Sequence, residues 1–189
     1  MQNNKPTSLK KPSVDAFAVE NHDLDINVTV ENSEACPRYA GVTVKGVTVK
    51  ESPEWLQNKL RIIGLRPINN VVDITNYIVH AFGQPLHCFD ADKIKGGEVV
   101  VRTMPEGTPF VTLDGVERKL SERDLMICDT EKPMCIAGVF GGLDSGSTET
   151  TKDVFIESAY FHPTWVRKTA RRHGCLLYTS PSPRDAHES

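Results

Sequence analysis

Strand-like and helix-like segments follow one another along this chain without a regular alternation, and this order constrains its fold most. Ile26, Val28 and Val30 alternate with polar residues, which is the period of a half-buried strand. The β-branched segments 42–44 and 47–49 predict a further strand or a bent pair of strands. Because a parallel α/β sheet requires regular βαβ succession, we predict an α+β protein with mainly antiparallel sheets and packed helices.

Two helices are predicted between residues 52 and 83. Ser52 is a favoured N-cap, Pro53 suits the first helical position, and Gly64 suits the C-terminal end. The second helix is predicted from about residue 70 to residue 82, with Gly83 as its terminator. Its apolar stripe is expected to comprise Val71, Ile74, Ile78 and Phe82.

Strand signals dominate the second half of the chain. Strands are predicted at residues 98–102, 126–128, 134–139 and 154–160. Asp114-Gly115 separates two further β-rich runs and predicts a tight hairpin, because glycine accepts positive φ without strain. A basic helix is predicted to begin at His162-Pro163-Thr164.

Charge and cysteine usage exclude several classes of protein. The net charge is −3, so bulk attraction to nucleic acid is not expected. No apolar run is long enough to span a membrane, and no secretory signal is recognisable. The five cysteines lack Cys-x-x-Cys or metal-ligand spacing, so we expect reduced thiols, a cytoplasmic location and no metal site. One local basic cluster could contact RNA: Arg167, Lys168, Arg171, Arg172 and His173.

The composition changes abruptly after Gly174. Residues 175–189 resemble an in-frame translation of a transposase adapter used in sequencing libraries, and we interpret them as a non-native tail, exposed and irregular. A natural tail rich in Ser and Pro is the alternative. Residues 1–24 are interpreted as a linker from a missing N-terminal region, which leaves one domain over residues 25–174 that we expect to be truncated at its C-terminal end.

Polar residues in the second helix and just after it are candidates for chemistry. Thr75 and Asn76 lie in mid-helix, where both residue types are mediocre helix formers. They could equally face water or bond back to the preceding turn. His87 follows Pro85 in an apolar setting, as either a hydrogen-bonded core histidine or a pocket group with a movable pKa.

Two later segments are also ambiguous. Residues 137–142 are rich in glycine, which allows backbone N–H groups to approach a ligand closely but also allows tight sheet packing. Glu157 lies in a strand where alternation does not fix its direction, because Val154 and Ile156 are both apolar. Facing inward it would be a buried carboxylate in need of a partner, and facing outward it would be a solvated strand residue.

In order along the chain, these segments resemble the editing domain of the beta subunit of bacterial phenylalanyl-tRNA synthetases. The resemblance covers roughly residues 25–174 without a gap. The matching motifs are Gly-Leu-Arg-Pro-Ile at 64–68, Asn-Asn-Val-Val-Asp-Ile-Thr-Asn-Tyr at 69–77, Gly-Gln-Pro-Leu-His at 83–87, Thr-Leu-Asp-Gly-Val at 112–116, Ile-Ala-Gly-Val-Phe-Gly-Gly at 136–142 and Arg-Lys-Thr-Ala-Arg-Arg-His-Gly at 167–174.

The resemblance implies a part of an α2β2 ligase that attaches phenylalanine to its tRNA with ATP and Mg²⁺. The aminoacylation site of that family lies in the alpha subunit, and the matching beta-subunit region hydrolyses tyrosine misattached to the tRNA. The implied partners are therefore the alpha subunit, tRNA and misattached tyrosine, with no cofactor in this segment and no membrane. By similarity the editing pocket would be lined by Thr75, Asn76, His87, Ala137, Gly138 and Glu157.

Chemical roles follow from the resemblance. Glu157 and the backbone N–H of Gly138 would bind the phenolic hydroxyl that distinguishes tyrosine from phenylalanine, and a site built for such a bond rejects the analogue that lacks it. His87, Thr75 and Asn76 would hold the ester and its attacking water, and the cysteines would be bystanders. The segment alone is not expected to aminoacylate tRNA.

Two other functions stay open on the sequence. One is a non-catalytic RNA-binding or subunit-docking module that uses the basic helix, and the other is a structural spacer. A Glu157 buried beside His87 in one pocket would favour editing. A solvent-facing Glu157 with a continuous basic stripe would favour binding.

Overall fold

The computed structural model describes residues 12–175. Ten strands and three α-helices occur in this range. The strands are β1 Asn27–Val30, β2 Arg38–Val44, β3 His87–Asp90, β4 Glu98–Thr103, β5 Pro109–Val111, β6 Glu117–Lys119, β7 Leu125–Cys128, β8 Pro133–Ile136, β9 Phe140–Gly141 and β10 Val154–Tyr160. The helices are α1 Glu54–Ile62, α2 Asn70–Phe82 and α3 Pro163–Arg172, and short 3₁₀ turns occupy Ala91–Lys93 and Lys95–Gly97.

The strands form three sheets, which confirms the predicted α+β class with mainly antiparallel pairing. A five-stranded sheet has the order β1-β4-β7-β8-β9, a three-stranded sheet has the order β2-β10-β3, and β5 pairs with β6. Every pair is antiparallel except β1 with β4, which run parallel. The parallel pair is possible because both helices α1 and α2 lie in the connection between these two strands.

Two apolar clusters hold the sheets together. In the larger one, fully buried residues of the five-stranded sheet such as Val101 and Ile127 meet Phe89 and Phe155 of the three-stranded sheet. On the opposite face of the five-stranded sheet, Met126 and other buried residues pack with Phe110 and Leu120 around the β5–β6 hairpin. The five-stranded sheet is thus covered on both faces, and the three-stranded sheet presents its inward face to the larger core.

Local signals located most elements correctly. Helix α2 has the predicted bounds: Asn69 caps its N-terminus by accepting from the backbone N–H groups of Val71 and Val72, and Gly83 ends it with φ +73°. The Asp114-Gly115 hairpin is also present, with Gly115 at φ +76°. Strand β10 and the start of α3 at Pro163 agree with the prediction.

Several local predictions were wrong. Residues 47–49 form no strand, and β8 ends at Ile136, short of residue 139. Pro53 rather than Ser52 is the N-cap of α1, because the Ser52 hydroxyl donates instead to the buried carboxylate of Asp73, 2.5 Å away.

The apolar stripe of α2 is only partly buried. Val71 is buried, whereas Ile74 and Phe82 are about half exposed, at 47% and 53%. No helix within residues 12–175 is long and apolar enough to cross a membrane. The interpretation of residues 175–189 as a foreign tail falls outside the described residues, apart from Cys175. Residues 12–24 of the interpreted linker contain neither helix nor strand.

Candidate functional site

The middle strand of the three-stranded sheet, β10, directs Glu157 into the protein. Phe155 and Glu157 point to the same face of β10, and their exposures are 1% and 5%. Glu157 is therefore a buried carboxylate, the inward alternative that the sequence left undecided. A buried carboxylate is costly unless it has partners, so its surroundings decide what it can do.

Strand register brings His87 directly beside Glu157. In the antiparallel pair β3–β10, His87 lies opposite Glu157, and Phe89 lies opposite Phe155 on the same face. On the other side of Glu157, strand β2 places Gly41 opposite it. The sequence separation between His87 and Glu157 is bridged only by this pairing of strands.

Among residues 12–175, one side chain donates a hydrogen bond to the carboxylate of Glu157. The hydroxyl of Tyr39 donates to Oε2 of Glu157 over 2.7 Å. Burial raises the pKa of Glu157 to about 7, and the bond from Tyr39 acts in the opposite direction. The carboxyl group therefore titrates near neutral pH, far above an ordinary glutamate.

His87 carries an unpartnered nitrogen. Its Nε2 atom is inaccessible to solvent and has no hydrogen-bond partner among residues 12–175, although the residue as a whole is half-buried. The imidazole packs edge-on against the ring of Phe89, with ring centroids 4.5 Å apart. Burial lowers the pKa of His87 to about 4, so the ring is neutral at pH 7.

Both side chains line one cavity of about 440 Å³, a size typical of small-molecule sites. Gly138 lines it as well, so the structure brings together three of the six residues expected at the pocket. The further lining residues are Gly83, Gln84, Pro85, Leu86, Cys135, Val139, Phe140, Gly141, Ala159, Tyr160, Phe161 and Val166. The lining is largely apolar around a carboxylate and an imidazole.

The glycine-rich segment is tightly packed at one position and borders the cavity at two others. Gly142 is packed tightly, since a Cβ there would lie 2.4 Å from the carbonyl oxygen of Met134. Gly141 instead borders the imidazole: a Cβ there would lie 3.3 Å from Cε1 and 3.8 Å from Nε2 of His87. Gly138 has φ +69° and is exposed at the cavity. Gly142 therefore permits tight packing in the sheet, whereas Gly138 and Gly141 line the cavity.

Three expected pocket residues do not line this cavity. Thr75 and Asn76 are half-buried in the middle of α2, and the Thr75 hydroxyl donates to the carbonyl of Val72 over 2.7 Å, which is the back-bond considered as its structural alternative. Ala137 is 3% exposed and belongs to the larger apolar core, because its side chain turns away from the cavity into the sheet packing.

Sequence reasoning missed a hydrogen-bond partner of Glu157, Tyr39, and a cysteine of the cavity wall, Cys135. Tyr39 had no motif around it, and its contact with Glu157 spans 118 positions, so only the strand register could have found it. Cys135 lines the cavity, and its thiol donates to the carbonyl of Phe140 over 3.2 Å. Burial raises the pKa of Cys135 well above its usual value, so its thiol is neutral and a poor nucleophile.

A second concave surface lies along the basic helix α3. Lys168, Arg171 and Arg172 line a groove of about 790 Å³ that also contains Arg123 and the half-buried indole of Trp165. Glu34, His162 and Thr164 complete the lining. Arg167 is exposed on the same helix but does not line the groove. Arg172 also donates to Asp124, so part of its charge is compensated within the protein.

Several known proteins are similar to this chain in sequence. A family model described as the B3/4 domain matches residues 35–184. The phenylalanine–tRNA ligase beta subunit of Bacteroides fragilis (strain ATCC 25285) is 88% identical over 174 residues, which covers 92% of this chain and 21% of that protein. The same subunit of Porphyromonas gingivalis is 61% identical over 174 residues, with the same coverage. The chain thus spans about a fifth of the length of the curated relatives it matches.

A solved structure shares the fold. An N-terminal fragment of the phenylalanyl-tRNA synthetase beta subunit from Pyrococcus horikoshii superimposes with a TM-score of 0.52 at 16% identity, over 82% of this chain and 51% of that one. At that identity the likeness concerns the fold alone. The sequence matches go further and confirm the resemblance that the motifs predicted. The chain belongs to the B3/4 domain family, in the form found in beta subunits of phenylalanine–tRNA ligase.

Proposed function

We propose that this segment hydrolyses tyrosine misattached to phenylalanine-specific tRNA, as the proofreading region of a phenylalanine–tRNA ligase. The observation that carries the proposal is the buried pair on adjacent strands, Glu157 opposite His87, facing one cavity of about 440 Å³. A carboxylate with spare acceptor capacity and a nitrogen without a partner are what a polar aromatic substrate could satisfy.

Glu157 would recognise the phenol. Tyr39 occupies Oε2, and no donor among the described residues bonds Oε1, which leaves an acceptor for a tyrosyl hydroxyl. Phenylalanine would fill the same apolar cavity but leave this acceptor unpaired, at a cost of about 1–3 kcal/mol. Discrimination would therefore come from one hydrogen bond in a desolvated site, with the backbone N–H of Gly138 as a second contact to the hydroxyl.

His87 would act on the attacking water. A neutral imidazole with a free nitrogen can accept a proton from water while the water oxygen attacks the ester carbonyl. The bond between the carbonyl carbon and the ribose oxygen then breaks, and the ribose oxygen takes the proton. The products are free tyrosine and uncharged tRNA. No covalent intermediate is needed, since burial keeps the Cys135 thiol protonated.

Thr75 and Asn76 are proposed to act at the ester end of the substrate. Eight residues separate Thr75 from Gly83 at the cavity rim, which is about 12 Å along the axis of α2. They would therefore act on a part of the substrate that extends beyond the cavity rim. Ala137 would contribute by shaping the strand end that carries Gly138.

The groove along α3 would hold tRNA. Lys168, Arg171, Arg172 and Arg123 supply positive charge, and Trp165 offers an aromatic surface on which a base could stack. The parent enzyme would be an α2β2 ligase of the cytoplasm, with the alpha subunit as partner. ATP and Mg²⁺ would serve the synthetic reaction of that enzyme.

The groove also favours a second candidate function, a non-catalytic RNA-binding module. Its basic lining would bind phosphates without any need for the cavity. The burial of Glu157 beside His87 favours editing over this alternative, because a binding module gains nothing from a desolvated carboxylate.

The test is hydrolysis of tyrosyl-tRNA by a full-length beta subunit that carries this segment, assembled with its alpha subunit. Glu157→Ala is expected to slow tyrosyl-tRNA hydrolysis about 10- to 150-fold, the equivalent of a charge-assisted hydrogen bond, while phenylalanine attachment is retained. Glu149→Ala is the matched control, because Glu149 is exposed and is not among the residues that line the cavity.

Equal loss of synthesis and hydrolysis would assign Glu157 to folding rather than to editing. Unchanged hydrolysis in Glu157→Ala would exclude it from the site. Retained tRNA binding without any hydrolysis by the unmodified enzyme would favour the RNA-binding module instead.

A further inference from the structure

We infer that Tyr39 is a positioning residue of this site: its phenol holds one oxygen of Glu157 and leaves the other for the phenol of the substrate. The inference rests on the proposed function and deepens it, because it concerns how tyrosine is selected. Tyr39 itself does not line the cavity, so it would act through Glu157 rather than on the substrate.

The pairing of β2 with β10 positions Tyr39 against Glu157. In the β2–β10 pair, Tyr39 lies opposite Ala159, and Gly41 lies opposite Glu157, so Tyr39 reaches the carboxylate diagonally across the ladder. The ring of Phe155 fills the space that a side chain at Gly41 would need, since a Cβ there would lie 2.3 Å from Cζ of Phe155. Glu157 is therefore bounded by Phe155 and Tyr39 on the β2 side.

The β3 and β8 sides supply no positive charge. His87 on β3 is neutral at pH 7, because burial lowers its pKa to about 4. Burial raises the pKa of Cys36 to about 11 and that of Cys135 on β8 well above its usual value, so both thiols are neutral too. Glu157 thus has no cationic partner within residues 12–175, and the Tyr39 hydroxyl is the protein donor that favours its ionised form.

The consequence is a carboxylate shared by two phenols, one from the protein and one from the substrate. An ionised carboxylate can accept both, whereas a protonated carboxyl group accepts a second phenol more weakly. Discrimination between tyrosyl-tRNA and phenylalanyl-tRNA should therefore rise with pH as Glu157 ionises. Without the Tyr39 donor, that rise should occur at higher pH.

The experiment compares the ratio of kcat/KM for tyrosyl-tRNA to kcat/KM for phenylalanyl-tRNA from pH 6 to pH 9, in the assembled ligase. The ratio removes pH effects common to both esters. Tyr39→Phe keeps the ring but loses the hydroxyl, and it is expected to move the midpoint of this profile upward by about one pH unit, the scale of one charge-assisted hydrogen bond. Tyr77→Phe, on helix α2 and outside the cavity lining, is the matched control and should leave the midpoint in place.

A second variant shifts the midpoint in the opposite direction. Incorporation of 3-fluorotyrosine at position 39 makes the phenol a stronger donor, so the midpoint should move downward. This variant decides the question alone if Tyr39→Phe does not fold. A midpoint that stays in place in both variants, with hydrolysis reduced equally at every pH, would overturn the positioning role and leave a packing role.

Different results would contradict the proposed function and the inference about Tyr39. Unchanged hydrolysis in Glu157→Ala would remove the proposed function and this inference with it. A strong effect of Glu157→Ala together with an immobile midpoint would overturn only the inference about Tyr39.

Discussion

Two buried carboxylates in this protein have opposite surroundings. Asp124 is fully buried and bonded to the guanidinium of Arg172, to Nε2 of His173 over 2.7 Å and to the backbone N–H of Ser121 over 2.9 Å. Glu157 is 5% exposed and receives one bond, from the neutral phenol of Tyr39. The first carboxylate is paired with the arginine cation of Arg172, and the second has no cationic partner among residues 12–175.

The difference separates a structural charge from a functional one. The bonds to Asp124 tie the C-terminal end of α3 to the loop that precedes β7, and they leave little acceptor capacity for a ligand. At Glu157 the protein has left a desolvated acceptor beside an unpartnered imidazole nitrogen. Under-compensated buried groups of this kind mark candidate sites, because stability alone gives no reason to keep them.

The largest expected effect tests the structural side. Asp124→Ala should lower the free energy of unfolding by about 3 kcal/mol, since removing one partner of a buried ion pair leaves the others uncompensated. The estimate lies at the low end for buried pairs because the Arg172 side chain is 34% exposed and can turn to water. Urea denaturation of the whole chain at pH 7 measures the change.

The matched control for this prediction is Asp144→Ala. The Asp144 side chain is 81% exposed and lies 4.0 Å from Lys132, so its loss should change stability little. Similar losses in the two variants would mean that the Asp124 network is no more stabilising than a surface pair, and the comparison would fail.

The next effect tests the functional side, through pH. The pKa of Glu157 is raised from 4.5 to about 7 in the folded protein, so its contribution to stability is fully present below pH 4.5 and is lost as the pH rises through 7. Glu157→Gln should therefore be more stable than the parent chain at pH 8, by about 1–2 kcal/mol, and lack this advantage at pH 4. The gain falls short of the full linkage because glutamine accepts a weaker bond from Tyr39.

Ionisation of His87 makes stability depend on pH with the opposite sign. Burial lowers its pKa to about 4, so its contribution is present above pH 6.5 and is lost as the pH falls through 4. Subtracting the free energy of unfolding of the parent chain from that of Glu157→Gln at each pH removes the contribution of His87, since both proteins retain it. Glu149→Gln, at an exposed position, should show no such pH dependence. A stability difference between Glu157→Gln and the parent chain that stays constant with pH would contradict the raised pKa of Glu157.

Elements with strong local signals could be predicted from the sequence. The bounds of α2 follow from a capping Asn69 and a left-handed Gly83, and the β5–β6 hairpin follows from Asp114-Gly115, because each signal acts within a few residues. The motifs also identified the family correctly and selected His87, Gly138 and Glu157, which the fold gathers around one cavity.

The remaining features depend on pairings that no local pattern encodes. The direction of Glu157 could not be predicted, because β10 has apolar residues on both faces as the middle strand of its sheet. Tyr39 was invisible because its contact depends on the β2–β10 register. The expectation that Thr75 and Asn76 line the same cavity came from resemblance alone. The Thr75 hydroxyl instead donates a hydrogen bond to the backbone carbonyl of Val72.

The smallest expected effect concerns the access of water to the imidazole of His87. Gly141→Ala would add a Cβ about 3.3 Å from Cε1 and 3.8 Å from Nε2 of His87, in the space through which a water would reach the unpartnered nitrogen. The contact is tight but tolerable, so we expect the free energy of unfolding to fall by about 1 kcal/mol or less. We expect a roughly fivefold fall in tyrosyl-tRNA hydrolysis by the assembled ligase.

Gly146→Ala is the matched control, since nothing lies within 4 Å of a Cβ at that position and hydrolysis should be unchanged. Phenylalanine attachment, measured on the same preparations, should be unaffected by both variants. If Gly141→Ala hydrolysed tyrosyl-tRNA as fast as Gly146→Ala, the unpartnered nitrogen of His87 would not be the route to the attacking water. His87 would then belong with Asp124 among the residues that hold the fold.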